Sequence, residues 1–337
     1  MKKLQKQFLD FNQLIKIDEE TSVLRDKRDM LKKDIEDYFP DKCSEYGISV
    51  NKSDLRFIHQ GSYKIGTTIK DTNVDLDYAV ILPLNIFEHS DSREVKKAAR
   101  DSLLIKNIRI PDIKEPCVTV AYHENGKEYM HIDFPIYADY SGLLYLARGK
   151  ENSASYKWEV ADPEGLNDYF LDKFTNYEQL RRVVRFLKKW KQEKYGNITN
   201  SHAIPPSVGL TILACENYME YAEDDLSSLY YTLKAIRNKF SVTRNGDDEI
   251  ISASITCNLP VMPRTDVFYK MRDASSHMIT FYKRICSAVD NLQNAINLDE
   301  EHEAAKYVQK VLGADFEVPE KEATETFTYS KKEYGFG

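Results

Sequence analysis

Residues 54–80 read DLRFIHQGSYKIGTTIKDTNVDLDYAV, and the fold turns on them. The stretch reads as a short strand, a Gly-Ser turn, one or two helical turns and a second strand bearing Asp75 and Asp77. Side chains alternate faces along a strand, so the two carboxylates point the same way while Val74, Leu76, Tyr78 and Val80 point into a core. Two carboxylates side by side repel each other unless a cation relieves them. Mg2+ takes carboxylate oxygens together with substrate phosphates, so the pair makes a natural metal site. Just upstream, Gly61 lets the backbone come close to a phosphate, and free N–H groups at a helix opening over 63–69 attract its charge. Ser62 adds a hydroxyl donor. Either half alone would be an ordinary turn or a solvated strand face. In this order, on a strand with one apolar face, they read as chemistry.

A third carboxylate lies downstream. Residues 117–123 alternate in strand fashion, and Glu124-Asn125-Gly126-Lys127 carries the Asn-Gly signal of a hairpin turn. The return strand is predicted over 128–137, EYMHIDFPIY, with Ile132 and Phe134 on one face and His131 and Asp133 on the other. Two-metal phosphoryl transfer needs a carboxylate beside the attacking hydroxyl, to align it and help remove its proton. Asp133 on a strand next to Asp75 and Asp77 completes that set. With the Gly61-Ser62 cradle it makes a nucleotidyltransferase site. His131 reads as a packed or solvated histidine rather than a ligand.

The flanking chain is largely helical. Residues 3–39 contain no Gly or Pro, and Pro40 follows them. Leu4, Phe8, Phe11 and Ile15 form one apolar stripe, and Leu24, Leu31, Ile35 and Phe39 a second. This predicts one long helix, bent near 18–21, packed across the rest of the protein. A helix is expected over 92–106. From residue 163 the composition turns helical, with one helix or two over 163–175 and 177–195. There Leu180, Val183, Val184, Leu187 and Trp190 follow the apolar period, and Arg181, Arg185 and Lys188 share a basic face. Such a face is usually solvated, but Lys188, with Arg185, suits a triphosphate. Ser207 opens a helix over 207–221, where its hydroxyl can cap the helix or reach a phosphate. Further helices are expected over 224–240, 265–296 (one or two) and 298–312. An irregular stretch with a turn at Asn245-Gly246 fills 241–264. The tail, 313–337, is charged and without periodicity, and reads as mobile.

Composition narrows the class. The chain has 337 residues, enough for two lobes, and is 42% hydrophobic and 30% charged, as globular proteins are. It shows no uninterrupted apolar run of membrane-spanning length, and its start, MKKLQKQFLDFNQ, has no apolar signal-peptide core. A cytoplasmic protein without a membrane partner is expected. A net charge of −7 argues against a non-specific nucleic-acid binder, which would carry a basic surplus. The five cysteines are scattered with no C-x-x-C pair, so neither a zinc site nor a disulfide framework is indicated.

HQGSYKIGT at 59–67, VDLD at 74–77 and HIDFPIY at 131–137 resemble the bacterial cGAS/DncV-like nucleotidyltransferases (CD-NTases), cyclic-oligonucleotide synthases of the polymerase-β superfamily. LRRVVRFLKKWKQ at 180–192, SHAIPPSVGLTILACE at 201–216 and PVMPRTDVF at 260–268 extend the resemblance over most of the chain. It implies an α+β, bilobed polymerase-β-like fold: a mixed-sheet lobe over 1–160 that includes a long bracing N-terminal helix, a helical lobe over 161–315, and a flexible tail over 316–337. It implies synthesis of a cyclic di- or trinucleotide from ATP and/or another nucleoside triphosphate such as GTP. A ribose hydroxyl attacks an α-phosphate and pyrophosphate leaves. In such families the products commonly signal phage infection (CBASS). Carried onto this chain, Gly61 and Ser62 hold the donor triphosphate, and Asp75, Asp77 and Asp133 bind two Mg2+ ions, with Mn2+ able to substitute. Gln60 matches a position that can touch a base, Lys188 and Ser207 match triphosphate holders, and Asp266 matches a position near a nucleotide. No His/Cys cluster corresponds to the zinc insertion of the animal enzymes, which with the acidic charge argues against direct nucleic-acid sensing.

Two alternatives remain at this stage. A template-independent enzyme making linear oligonucleotides or tailing RNA would want a basic track or stacking platform, and none is evident. A nucleotide-binding module with a decayed site would not keep all three carboxylates. The ending Tyr334-Gly335-Phe336-Gly337 makes the Gly337 carboxylate a candidate for activation by a ubiquitin-type ligase and transfer to an acceptor such as an amine, since glycine threads a narrow catalytic tunnel and a mobile tail can reach it. The sequence leaves the identity of any regulatory partner protein open.

Overall fold

The strand bearing Asp75 and Asp77 sits inside a mixed sheet because its other face is continuously apolar. In a computed structural model, residues 2–17, 22–70, 74–104 and 109–321 are described. In chain order the elements are α1 (Gln5–Ile15), α2 (Ser22–Ser44), β1 (Arg56–Gln60), α3 (Gly61–Lys64), β2 (Val74–Pro83), α4 (Arg93–Leu104), β3 (Asp112–Ile113), β4 (Val118–Glu124), β5 (Lys127–Phe134), β6 (Ile136–Tyr140), β7 (Leu143–Arg148) and β8 (Lys157–Ala161). The helical half follows as α5 (Pro163–Thr175), α6 (Glu178–Tyr195), α7 (Ser207–Asn217), α8 (Asp225–Asn238), β9 (Ser241–Arg244), β10 (Ile250–Ser254), α9 (Ser275–Asn297) and α10 (Glu301–Leu312).

Strands β1 to β8 make one mixed sheet. β2 runs antiparallel to β1 and parallel to both β5 and β6. Asp77 stands opposite Asp133 and, further along, Val80 stands opposite Ile136, so β5 and β6 lie in line along β2 in a single register. The sequence pattern predicts one strand there. Pro135, which has no N–H to give, divides it, while its carbonyl still accepts from the Val80 N–H at 2.9 Å. The β4–β5 hairpin turns at Asn125 (φ 52°) and Gly126 (φ 75°), the two positive φ angles that an Asn-Gly turn supplies.

Two cores hold the molecule. Leu76, Tyr78, Val80 and Leu82 on one face of β2 pack with Leu24, Leu31, Ile35 and Phe39 of α2 and with Val95, Ala98 and Ala99 of α4. Leu4, Phe8, Phe11 and Ile15 of α1 instead join the core of the helical half, with Phe186, Trp190, Leu213 and Phe281. The two stripes of the N-terminal segment therefore serve different lobes, and α1 and α2 are separate helices. The expected bend at 18–21 lies outside the described residues. Pro40 does not end α2, which runs on to Ser44 because Phe39 and Cys43 are buried in the sheet core and hold the last turn in place.

Further down the chain several expectations change. Residues 163–195 form two helices, and α7 stops at Asn217. The stretch 241–264 contains the β9–β10 hairpin, whose turn is held by Asn245 Oδ1 accepting from the N–H groups of Asp247 and Glu249. Residues 265–296 divide into a 3-10 turn, Tyr269–Asp273, and α9. The first part of the predicted mobile tail is packed. Phe316 is fully buried, its ring 5.0 Å from that of Phe8 and 5.4 Å from that of Phe11, and Asp315 pairs with Lys189 at 2.9 Å. A single aromatic in a charged run gives no periodicity to read. Residues 322–337, Gly337 among them, lie outside the described residues. No helix among the described residues is long and apolar enough to cross a membrane.

Candidate active site

The carboxylates come from two adjacent strands and one sheet face. β2 and β5 pair Asp75 with His131 and Asp77 with Asp133, so parallel neighbours place these four side chains side by side. Thr119 on β4 stands opposite Asp133 and donates its hydroxyl to Asp133 Oδ1 at 2.5 Å, which orients that carboxylate. His131 lies between Asp75 (3.1 Å) and Glu128 (3.0 Å), and its contact with Asp75 raises its pKa above the ordinary histidine value. The Asp77 carboxyl points at Gly61. Burial, then the charges of Asp75 and Asp133, push it up to about 8. Ligand atoms of Asp75, His131 and Asp133 lie within 4.8 Å of one another, which brings His131 into the cluster, against the sequence reading.

The cradle is built against this cluster. Gln60 ends β1 directly opposite Asp77, and the chain turns at Gly61 with φ +72°. A β-carbon at Gly61 would fall inside contact distance of the Asp77 carboxylate oxygen, so the position demands glycine on two counts. The helix that follows is one turn, Gly61–Lys64, shorter than the sequence suggests and too short to contribute a helix dipole. What it offers a ligand is local: backbone N–H groups and the Ser62 hydroxyl, which lies 3.1 Å from Thr68 Oγ1.

Opposite the cradle stands α6. Together the two lobes enclose a cavity of about 750 Å3, lined by Gly61, Ser62, Asp75 and Asp77 on the sheet side and by residues of α5, α6 and α7 on the other. Lys188 and Lys191 both line it. The Lys188 ammonium is buried and donates to the Thr67 carbonyl (3.0 Å) and Thr67 Oγ1 (3.1 Å). That burial, followed by the nearby charge of Lys191, lowers its pKa to about 7. Lys191 donates to Ser207 Oγ at 2.8 Å, so these two form a polar pair on the cavity wall.

Not every expected residue arrives here. Arg185 donates to Asn12 Oδ1 (2.9 Å) and to the Gly66 carbonyl (2.7 Å), bracing α1 and the loop after the cradle. It is absent from the cavity lining because one helical turn rotates it toward α1. Asp266 does not line the cavity either. Its Oδ1 accepts from the N–H groups of Cys257 and Phe268, and its Oδ2 pairs with Arg272 at 2.5 Å, so it organises its own turn. Ser207 lines the cavity but does not cap α7, whose N-cap is Pro206. Sequence reasoning missed Lys191 and Asn167. Lys191 is three residues beyond Lys188 and so shares its helical face, a signal that was available. Asn167, 6% exposed, donates to the His59 carbonyl at 3.0 Å and lines the cavity; a polar residue inside a helix pattern carries no such signal.

Comparison with known proteins bears on this geometry. Residues 55–137 match the family model for the nucleotidyltransferase domain of cyclic GMP-AMP synthase DncV-like proteins. A curated protein named cyclic GMP-AMP synthase, from Escherichia albertii, is 28% identical over 194 residues, which are 53% of this chain and 41% of that protein. The match thus spans well under two thirds of that relative's length. Among solved structures, the GTP-bound form of Vibrio cholerae DncV superposes with a TM-score of 0.71 at 18% identity, covering 94% of this chain and 96% of that one. DncV in complex with a linear pppApG intermediate gives 0.69 at 17% identity, with 94% and 96% covered. At such identities the likeness is one of fold, and it runs through both lobes. The family model falls on the segment that builds the cradle and the carboxylate cluster, so residues 55–137 are similar to the nucleotidyltransferase domain of the DncV-like proteins.

Proposed function

We propose that the protein joins nucleoside triphosphates into a cyclic dinucleotide or trinucleotide with release of pyrophosphate, as a signalling enzyme of anti-phage defence. The observation that carries the reading is the placement of the Gly61-Ser62 cradle directly against Asp77, with Asp75 beside it on the cavity wall and Asp133 on the same face of the neighbouring strand. The names of the relatives support the product class: one is a cyclic GMP-AMP synthase, and DncV is described with GTP and with a linear intermediate.

The donor set fits a hard divalent cation. Asp75 and Asp133 converge with His131, Asp77 lies beside them on the same sheet face, and the burial and neighbouring carboxylate charges that push Asp77 up to about 8 are a cost a cation would relieve. Asp75, Asp77 and Asp133 would hold two Mg2+ ions, or Mn2+ in their place, with His131 beside them. When bound, such ions polarise the α-phosphate and neutralise charge on the leaving pyrophosphate. The chain's own groups do the rest. Gly61 and Ser62 hold phosphate oxygens through N–H and O–H donors. Lys191 and Ser207 receive the far end of the triphosphate from the opposite lobe. Asp133, oriented by Thr119, faces the attacking ribose hydroxyl and assists its deprotonation. Asn167 and the apolar wall of Leu166, Phe170 and Val208 give a base a flat, half-polar surface. Lys188, whose ammonium is spent on Thr67, sets the cradle loop rather than gripping phosphate directly.

The reading is tested by pyrophosphate release from mixed triphosphates with Mg2+. Asp75→Asn, Asp77→Asn and Asp133→Asn should each lose activity by at least about a hundredfold while remaining folded, since each removes a charge the transition state needs. Near-wild-type turnover in any one of them would refute the assignment.

A further inference from the structure

The carboxylate cluster is not uniform. Among the described residues, the ligand atoms that lie within 4.8 Å of one another are those of Asp75, His131 and Asp133, while Asp77 points at Gly61. Asp75 stands between the two groups, beside Asp77 on β2 and opposite His131 on β5. The cluster therefore offers two unlike seats that share Asp75. The one toward the cradle has carboxylates only, and the one on the β5 side adds an imidazole.

A local irregularity builds the second seat. Strand alternation alone would send Glu128 to the apolar face with Ile132 and Phe134. From the Tyr122–Met130 pair to the His123–Glu128 pair, however, the hairpin takes one step on β4 and two on β5, so Tyr129 is an extra residue. Such a bulge re-aims the side chains beyond it. Glu128 thereby reaches His131, and its Oε1 accepts from His131 Nδ1 at 3.0 Å. A carboxylate can only accept, so Nδ1 is the donor, and Nε2 is the nitrogen left to face Asp75 at 3.1 Å. An imidazole tied to a carboxylate through one nitrogen, with the other turned to a site of negative charge, is the arrangement in which histidines ligate metals. Thr119 steadies Asp133 from β4 in the same way.

We propose that the Asp75–His131–Asp133 seat takes a borderline first-row cation of the Co2+, Ni2+ or Zn2+ class through His131 Nε2, with Glu128 orienting the ring. This rests on the metal-binding reading of the cluster. Carboxylate oxygens suit Mg2+, whereas an imidazole adds most to the affinity for Co2+, Ni2+ and Zn2+. The ion takes the place of the contact between Nε2 and Asp75, so both groups keep a partner. Mg2+ is left to the carboxylate-only seat.

The test is thermal-shift titration of the full-length, nucleotide-free protein, stripped with chelator, using CoCl2 and MgCl2 separately, together with the visible spectrum of the bound Co2+. His131→Gln keeps much of the side chain's reach but exchanges the ring nitrogen for an amide. It should raise the apparent Co2+ dissociation constant at least about tenfold and the Mg2+ constant by less than about threefold. It should also move the Co2+ bands to longer wavelength, because oxygen is the weaker-field donor. Glu128→Gln, at a partly exposed position, should weaken Co2+ binding several-fold, and it decides the matter if His131→Gln does not fold. Equal loss of both ions in His131→Gln, the mark of a histidine that only steadies Asp75, overturns the inference. So does an unchanged Co2+ constant in either variant, or Co2+ bands that do not move in His131→Gln. Failure of Co2+ to raise the wild-type melting temperature overturns it as well, and failure of both ions removes the metal reading with it. Selective loss of Co2+ in a protein that releases no pyrophosphate leaves this inference standing and removes the synthesis reading alone.

Discussion

Asp77 shows how one side chain joins stability to function. Burial, then the charges of Asp75 and Asp133, push its carboxyl from an ordinary value of 3.8 up to about 8. Between those values the folded state keeps a proton that the unfolded chain has released, so without metal, stability falls as pH rises through that window. Asp77→Asn removes the penalty. In the absence of divalent ions the variant should melt higher than wild type at pH 8.5, by roughly 2–5 °C, and the two should converge toward pH 4. Melting curves across pH decide, and a variant that melts lower at pH 8.5 contradicts the account of the cluster. The three carboxylates were legible in the sequence because strand period is strict: 75 and 77 share a face, and 133 reaches the same face of a neighbouring strand. His131 was under-read for a related reason. Its alternation places it on that face, but its pairing opposite Asp75 depends on register, which local pattern does not set.

Helix α6 is where reading by element reached its limit. The apolar stripe of Leu180, Val183, Val184, Leu187 and Trp190 predicted its buried face correctly. Which basic residues then meet the cavity is a matter of helix rotation, a few tens of degrees that charge patterning does not resolve. Arg185 turns toward α1, Lys188 toward Thr67, and Lys191 toward Ser207. The two lysines should therefore separate by experiment. Lys188→Ala should lower the melting temperature, because it removes two hydrogen bonds from a buried cation and leaves the cradle loop untied. Lys191→Ala should leave the melting temperature within about 2 °C of wild type and weaken triphosphate binding several-fold, more at low salt than at high salt. Thermal melts paired with titration of a non-hydrolysable triphosphate make the comparison. Lys191→Ala with unchanged affinity would return the phosphate-holding role to Lys188.

At the scale of the whole molecule, the two N-terminal stripes divide between two cores, and the segment after α10 closes back over α1 through Phe316. The bilobed α+β architecture was legible because strand and helix periods segregate along the chain. The division of α1 from α2 between lobes was not, since both stripes carry the same helical period and nothing local tells one core from the other. The packing of Phe316 likewise depends on contacts more than 300 residues away in sequence. This arrangement sets a cradle and carboxylates on one wall of a cleft and a lysine–serine pair on the other, and the central claim is that it builds a closed ring of nucleotides. The direct measurement is incubation of the purified protein with labelled ATP, GTP, UTP and CTP and Mg2+, followed by phosphatase and mass spectrometry. The account predicts a phosphatase-resistant cyclic product without a terminal phosphate, absent with Asp133→Asn. Products that are linear and lose phosphate to the phosphatase, or a cyclic product that persists with Asp133→Asn, would contradict it.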